Sequence, residues 1–153
     1  MKKDIDYKKL IWYIFLTSAT GILSYLLSFQ GIKNYSSMVK PALAPPSIVF
    51  MIVWPILYIL MGISAYIVDE KGGKEQLRPF HIQLLLNFLW SPVFFTLKKC
   101  TLAVVIIILL VFCVIWMIKA FSKVSKKAAA LQIPYLLWLI FATYLNISIC
   151  ILN

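Results

Sequence analysis

The side chains in this sequence that are suited to chemistry are aromatic rings and amides. Of 153 residues, five are Trp, eight Tyr and ten Phe. Three tryptophans stand beside helix-disturbing or polar residues. Trp54 precedes Pro55, Trp90 lies between Asn87 and Pro92, and Trp138 follows Pro134 by one helical turn. Helical spacing puts Phe50, Trp54 and Tyr58 on one face, Gln83, Asn87, Ser91 and Phe94 on a second, and Trp138, Ala142 and Leu145 on a third. Such faces stack against flat apolar rings. A buried amide costs free energy until it is paired, so Gln83 and Asn87 face either a partner helix or a polar group on a ligand. Proline frees backbone carbonyls and kinks helices. Three kinked helices with inward aromatics would enclose a flat apolar cavity, or serve packing alone. Trp12, Tyr13 and Trp116 fit the aromatic belt at a membrane interface.

Other chemistry is poorly supplied. His81 is the single histidine and reads as an interfacial residue, neither ligand nor base. The sequence offers no Ser-His-Asp set, no metal cluster and no glycine-rich phosphate loop. No metal or resident cofactor is expected. Cys100, Cys113 and Cys150 are isolated and odd in number. They suggest neither a disulfide framework nor metal spacing, and the expectation is three buried free thiols.

The elements that must carry these residues follow from hydropathy. Hydrophobic residues make up 63% of the chain and charged ones 13%, whereas a soluble domain is roughly half apolar. No Asp, Glu, Lys or Arg occurs in residues 10–32, 41–68, 79–97, 100–118 or 128–153. Each window is long enough for the roughly 20 apolar residues of a spanning helix. The runs are continuously apolar and do not alternate, which excludes a barrel. The expectation is an all-α membrane protein, a single domain over 1–153, built as a five-transmembrane-helix bundle. Its helices fall at about 8–29, 46–68, 79–97, 100–119 and 127–151, with a long loop at about 30–45. The bilayer is thus a partner of the fold.

Charge sets the orientation. Of the 15 basic residues, only Lys33, Lys40, Lys98 and Lys99 fall in the first and third loops. The rest lie at the N-terminus and in the second and fourth loops. The excess of Lys and Arg on one side places the N-terminus in the cytoplasm and the C-terminus outside. The net charge of +10 is spread over short loops between apolar windows, so no nucleic-acid partner is expected. The spans lack the intramembrane acids and bases that mark ion paths, which argues against a pump or an ion-coupled transporter.

Individual segments carry further expectations. The first apolar run is too long for a signal-peptide core and reads as a retained helix. Thr17, Gly21, Ser24 and Ser28 line one face of it as a packing seam. Pro41, Pro45 and Pro46 stiffen the long loop. The acidic loop at residues 69–78 reads as a plain solvated turn. The fourth span, nearly featureless and β-branched, reads as a wall against lipid.

At these residues the sequence resembles the TspO / translocator protein family, also called the peripheral-type benzodiazepine receptor family. The resemblance covers nearly the whole chain and rests on four motifs in order. Lys40-Pro41 followed by Pro45-Pro46 matches the end of the family's first loop. Trp54-Pro55-Ile56-Leu57-Tyr58 follows on the second span. Gln83, Asn87, Trp90-Ser91-Pro92 and Phe94-Phe95 share the third span. Pro134 to Trp138 and Phe141 to Asn146 mark the fifth.

The resemblance implies a five-helix bundle that binds tetrapyrroles such as protoporphyrin IX and other flat hydrophobic ligands, in a pocket that the first loop closes. Carried over residue by residue, Trp54, Asn87 and Trp138 would line the pocket, with Pro45, Pro46, Phe50, Tyr58, Trp90, Phe94 and Ala142 nearby. The leading functional expectation is a tetrapyrrole-binding sensor or regulatory protein, multi-pass in a prokaryotic plasma membrane. The alternatives are light-dependent porphyrin breakdown, with Trp54 and Trp138 as the reacting residues, and tetrapyrrole transport. Homodimers are known in the family. Two departures stand out. No basic residue follows Tyr144, so the sterol motif of animal members is incomplete, and Tyr35 and Leu43 occupy loop positions where indoles are common.

Overall fold

Each apolar window becomes helix, because a bilayer leaves the backbone no partner but itself. The computed structural model describes residues 3–153; Lys2, counted above with the basic N-terminus, lies outside them. The helices are α1 (Tyr7–Tyr35), α2 (Ser47–Glu70), α3 (Arg78–Ser91), α4 (Cys100–Ser122), α5 (Lys126–Leu131) and α6 (Ile133–Leu152). A short 3-10 turn, Glu75–Leu77, precedes α3, and a π-helical turn, Pro92–Thr96, extends it. No strand occurs among the described residues. Four helices are long and apolar enough to cross a membrane: α1, α2, α4, and α5 with α6 as one rod, Lys126–Leu152. With the all-helical architecture, they make this a multi-pass membrane protein.

The third rod is the shorter one, and proline explains its form. Pro92 lacks the N–H that would continue the α-ladder. The chain widens there, and Leu97 N donates to Pro92 O at 2.9 Å. Lys98 then takes a left-handed φ of +53° and turns the chain tightly into α4. Pro134 behaves differently from the expected mid-helix kink. It sits in the first turn of α6, just after the break at Gln132, where a missing N–H costs nothing.

Helix α1 continues to Tyr35, so the loop begins at residue 36 and not at 30. Docking holds these extra turns. Gly31 lies directly against the Phe95 backbone, and the Tyr35 ring meets Phe50 and Phe95 edge-on at 6.3 and 6.0 Å.

The small-residue face of α1 is the packing seam its spacing suggested. Thr17 Oγ1 donates to Tyr58 O at 2.7 Å, and Ser24 Oγ donates to Phe88 O at 2.9 Å. Ser91 Oγ donates to Ser28 Oγ at 2.8 Å. Gly21 lies against the Tyr58 ring, where any Cβ would collide. These bonds fix α1 against both α2 and α3, the helices that carry the aromatic residues.

The acidic segment is not a plain solvated turn. Asp69 and Glu70 close α2 and are only partly exposed. Lys9 Nζ lies 2.7 Å from Glu70 Oε1 and 3.5 Å from Asp69 Oδ2, and Tyr13 Oη donates to Asp69 Oδ2 at 3.1 Å. A helix C-terminus disfavours negative charge, and the lysine offsets it.

The cysteines also differ from expectation. Cys100 and Cys150 form a disulfide, with Cα atoms 5.8 Å apart, and only Cys113 is a buried free thiol. Sequence spacing gives no sign of this pair. It exists because α4 and α6 run antiparallel and bring the start of one beside the end of the other. Helix α4 does face outward along Val105, Leu109, Phe112 and Trp116, while Ala103, Ile107, Leu110, Val114 and Met117 pack inward.

Candidate ligand site

On α2, successive turns carry Phe50, Trp54 and Tyr58 along one face, as their spacing requires. The Trp54 ring stacks on Tyr58 with centroids 5.6 Å apart. From α6, Trp138 meets Trp54 edge-on at 6.5 Å and Phe50 at 5.5 Å. Tyr135 meets Trp54 at 6.4 Å. Edge-to-face contacts of this kind are favourable beyond the area they bury. Phe50, Trp54, Tyr58 and Trp138 thus form one aromatic wall shared by α2 and α6.

Asn87 forms the floor. Tyr58 Oη donates to Asn87 Oδ1 at 2.6 Å, and Asn87 Nδ2 donates to Tyr135 Oη at 2.8 Å. Tyr135 in turn donates to Gln83 Oε1 at 2.8 Å. All four side chains are buried. Asn87 pairs with partner helices on both sides, accepting from α2 and donating to α6, and uses one of its two N–H donors and one of its two acceptor lone pairs to do so. Tyr135 sits at the centre of this network and was absent from the sequence-derived site. Its signal was available, since Tyr135, Trp138 and Ala142 fall on one helical face.

Trp90 and Phe94 belong to a second cluster, nearer the loop. Their rings stack at 5.7 Å, and Trp90 Nε1 donates to Asn146 Oδ1 at 2.8 Å. Tyr35, Val93, Phe94, Ala103 and Ile149 are its buried members. Ala142 is buried on α6. Pro45 is partly exposed and Pro46 exposed, and Pro46 caps the start of α2. They shape the loop's entry into α2.

Among the described residues, both amide atoms of Gln132 at the break between α5 and α6 are buried without a hydrogen-bond partner, and two more such atoms belong to the aromatic clusters. Trp138 Nε1 and Tyr35 Oη are buried with no hydrogen-bond partner among the described residues. Two cations stand at the loop end, Lys33 in the last turn of α1 and Lys40 in the loop itself. Lys40 Nζ sits 4.6 Å from the centre of the Tyr35 ring, and Lys33 Nζ sits 4.4 Å from that of Phe29. His81 is exposed on α3, far along that helix from the loop. On the outer side of Trp138 a groove of about 460 Å³ runs between α2 and α6, lined by Val53, Ile56, Leu57, Leu60, Pro134, Leu137 and Phe141 as well as Trp138. The expected cavity enclosed by three kinked helices is instead packed with side chains at the level of Asn87, and the open groove lies beside Trp138.

The fold and this cluster define a multi-pass helical membrane protein whose uncharged, aromatic interior lies beneath a basic loop. Residues 13–152 match the TspO/MBR family, and the chain belongs to that family. It is 38% identical to the tryptophan-rich protein TspO of Archaeoglobus fulgidus, over 95% of this chain and 97% of the relative. Against the tryptophan-rich sensory protein of Cereibacter sphaeroides it is 36% identical, over 93% and 92%. The human translocator protein is 37% identical over 76% of this chain and 73% of its own length.

Proposed function

We propose that this chain is a sensor or regulatory protein of the plasma membrane that binds a flat tetrapyrrole such as protoporphyrin IX. One observation carries the reading. Trp54 and Trp138 meet in a charge-free interior, and the Trp138 Nε1 donor has no partner there. A planar macrocycle offers both the ring face that indoles stack on and ring nitrogens that can accept that donor. Its carboxylates would meet Lys33 and Lys40 at the mouth, where Coulomb attraction is little screened by the low-dielectric wall. Asn87 contributes indirectly, by fixing Tyr58 and Tyr135 behind the tryptophans. To admit the ligand, Trp138 and Phe50 must part, since their rings now touch. The sensory role is the one the Cereibacter sphaeroides relative bears in its name.

The loop end faces outward and the Lys9 end faces the cytoplasm in this reading. Two independent features support it: the distribution of Lys and Arg among the loops, and a disulfide at the loop end, which persists in an oxidising compartment.

Quenching of tryptophan fluorescence by protoporphyrin IX tests the site. The wild-type protein should show saturable quenching, and Trp54→Ala should weaken the apparent affinity by about tenfold, the loss of one ring-stacking partner. Affinity equal to wild type in that variant would remove Trp54 from the site.

A further inference from the structure

Met38 and Lys40 rest the loop on the cluster around Tyr35, and one residue ties it by hydrogen bonds to α6. Asn153 pairs with the Val39 backbone in both directions: Val39 N donates to Asn153 Oδ1 at 3.1 Å, and Asn153 Nδ2 donates to Val39 O at 2.9 Å. The other side-chain hydrogen bonds of this stretch, Ser36 Oγ to Lys33 O and Ser37 Oγ to Asn34 O, are local and tie it only to the end of α1. The contact that spans the mouth therefore hangs from the last turn of α6.

That turn is itself anchored by Cys150. The disulfide to Cys100 fixes it to the start of α4. Asn146, one turn earlier, donates through Nδ2 to Cys150 Sγ at 3.4 Å while its Oδ1 accepts from Trp90. Cys100, Cys150 and the loop residue Met38 pack on one cluster with Tyr35, Phe94 and Ile149. In the same turn Ile149 is buried, whereas Ile151 and Leu152 beyond Cys150 are exposed.

We propose that the Cys100–Cys150 disulfide is a thiol-reducible clamp that keeps the loop at residues 36–46 closed. Reduction by a small dithiol breaks one S–S bond and forms two S–H bonds, and the dithiol gives up two electrons and closes to its own cyclic disulfide. The last turn of α6 then loses its covalent tie and frays, as helix ends without anchors do. Asn153 releases Val39, and the loop opens. Both cysteines are partly exposed, near the loop end of the bundle where a small reductant has access. The clamp acts on the loop whatever ligand the cleft takes.

Hydrogen exchange of the loop amides in detergent-solubilised protein tests this, before and after dithiothreitol and again after reoxidation. Reduction should raise exchange at Val39, whose N–H donates to Asn153, on the order of thirtyfold, the effect of losing two hydrogen bonds of ordinary net strength, and reoxidation should reverse it. Asn153→Ala should give the same increase with the disulfide intact, and reduction should add little more to it. The idea fails if alkylation and mass analysis find Cys100 and Cys150 free under non-reducing conditions. It fails equally if reduction changes exchange only beside the two cysteines, or if Asn153→Ala leaves the loop protected.

Discussion

Replacing Asn87 by alanine probes a buried polar network that ties α2, α3 and α6 together. Its amide accepts from Tyr58 and donates to Tyr135, while Tyr135 keeps a second bond to Gln83. Alanine therefore strands the Tyr58 hydroxyl completely but leaves Tyr135 an acceptor. One orphaned buried donor costs about 1–3 kcal/mol. The vacated amide volume adds roughly 1 kcal/mol if the surroundings do not close. Interhelical hydrogen bonds in membranes average nearer 0.6 kcal/mol, because the unfolded chain finds other partners, which pulls the sum down. The expected loss is about 2–3 kcal/mol. Reversible unfolding in mixed micelles, followed by circular dichroism as the denaturing detergent fraction rises, measures it. Tyr58→Phe removes the donor that Asn87→Ala would strand, so the double variant should be more stable than the two single losses added together, by about 1 kcal/mol. A loss below about 0.5 kcal/mol for Asn87→Ala, or strict additivity in the double variant, would refute this account of the network.

Two further substitutions test the backbone geometry that places the site. Gly31→Ala gains helix propensity, yet its Cβ falls on the Phe95 carbonyl, and backbone held in a π-turn gives way poorly. A net loss of about 1–3 kcal/mol is expected in the same unfolding assay, together with weaker packing of Tyr35. Lys98→Gly should act the other way. Relieving a left-handed φ of +53° is worth roughly 1 kcal/mol, seen as a higher unfolding midpoint with unchanged helix content.

The division between what the chain's composition dictates and what its folding adds can be traced residue by residue. Five charge-free windows require helices in any arrangement, because lipid offers no hydrogen-bond partners to the backbone. The period of 3.6 residues puts Phe50, Trp54 and Tyr58 on one face before any fold is known. The small residues of α1 announce a seam for the same reason, and Thr17, Gly21, Ser24 and Ser28 form it. The site legible in the sequence was thus a set of faces.

Which faces meet was settled only by the tertiary structure. Periodicity cannot tell which helices Asn87 meets; the approach of Tyr58 and Tyr135 shows it. Nor could spacing show that Cys100 and Cys150 are joined, since their nearness depends on two antiparallel helices meeting end beside end. The length of α1 escaped hydropathy because docking of Gly31 and Tyr35, and not apolarity, carries the helix onward. Local pattern records what a residue is able to face. Only packing in three dimensions records what it does face, because the energies that choose between partners come from contacts far apart in the chain.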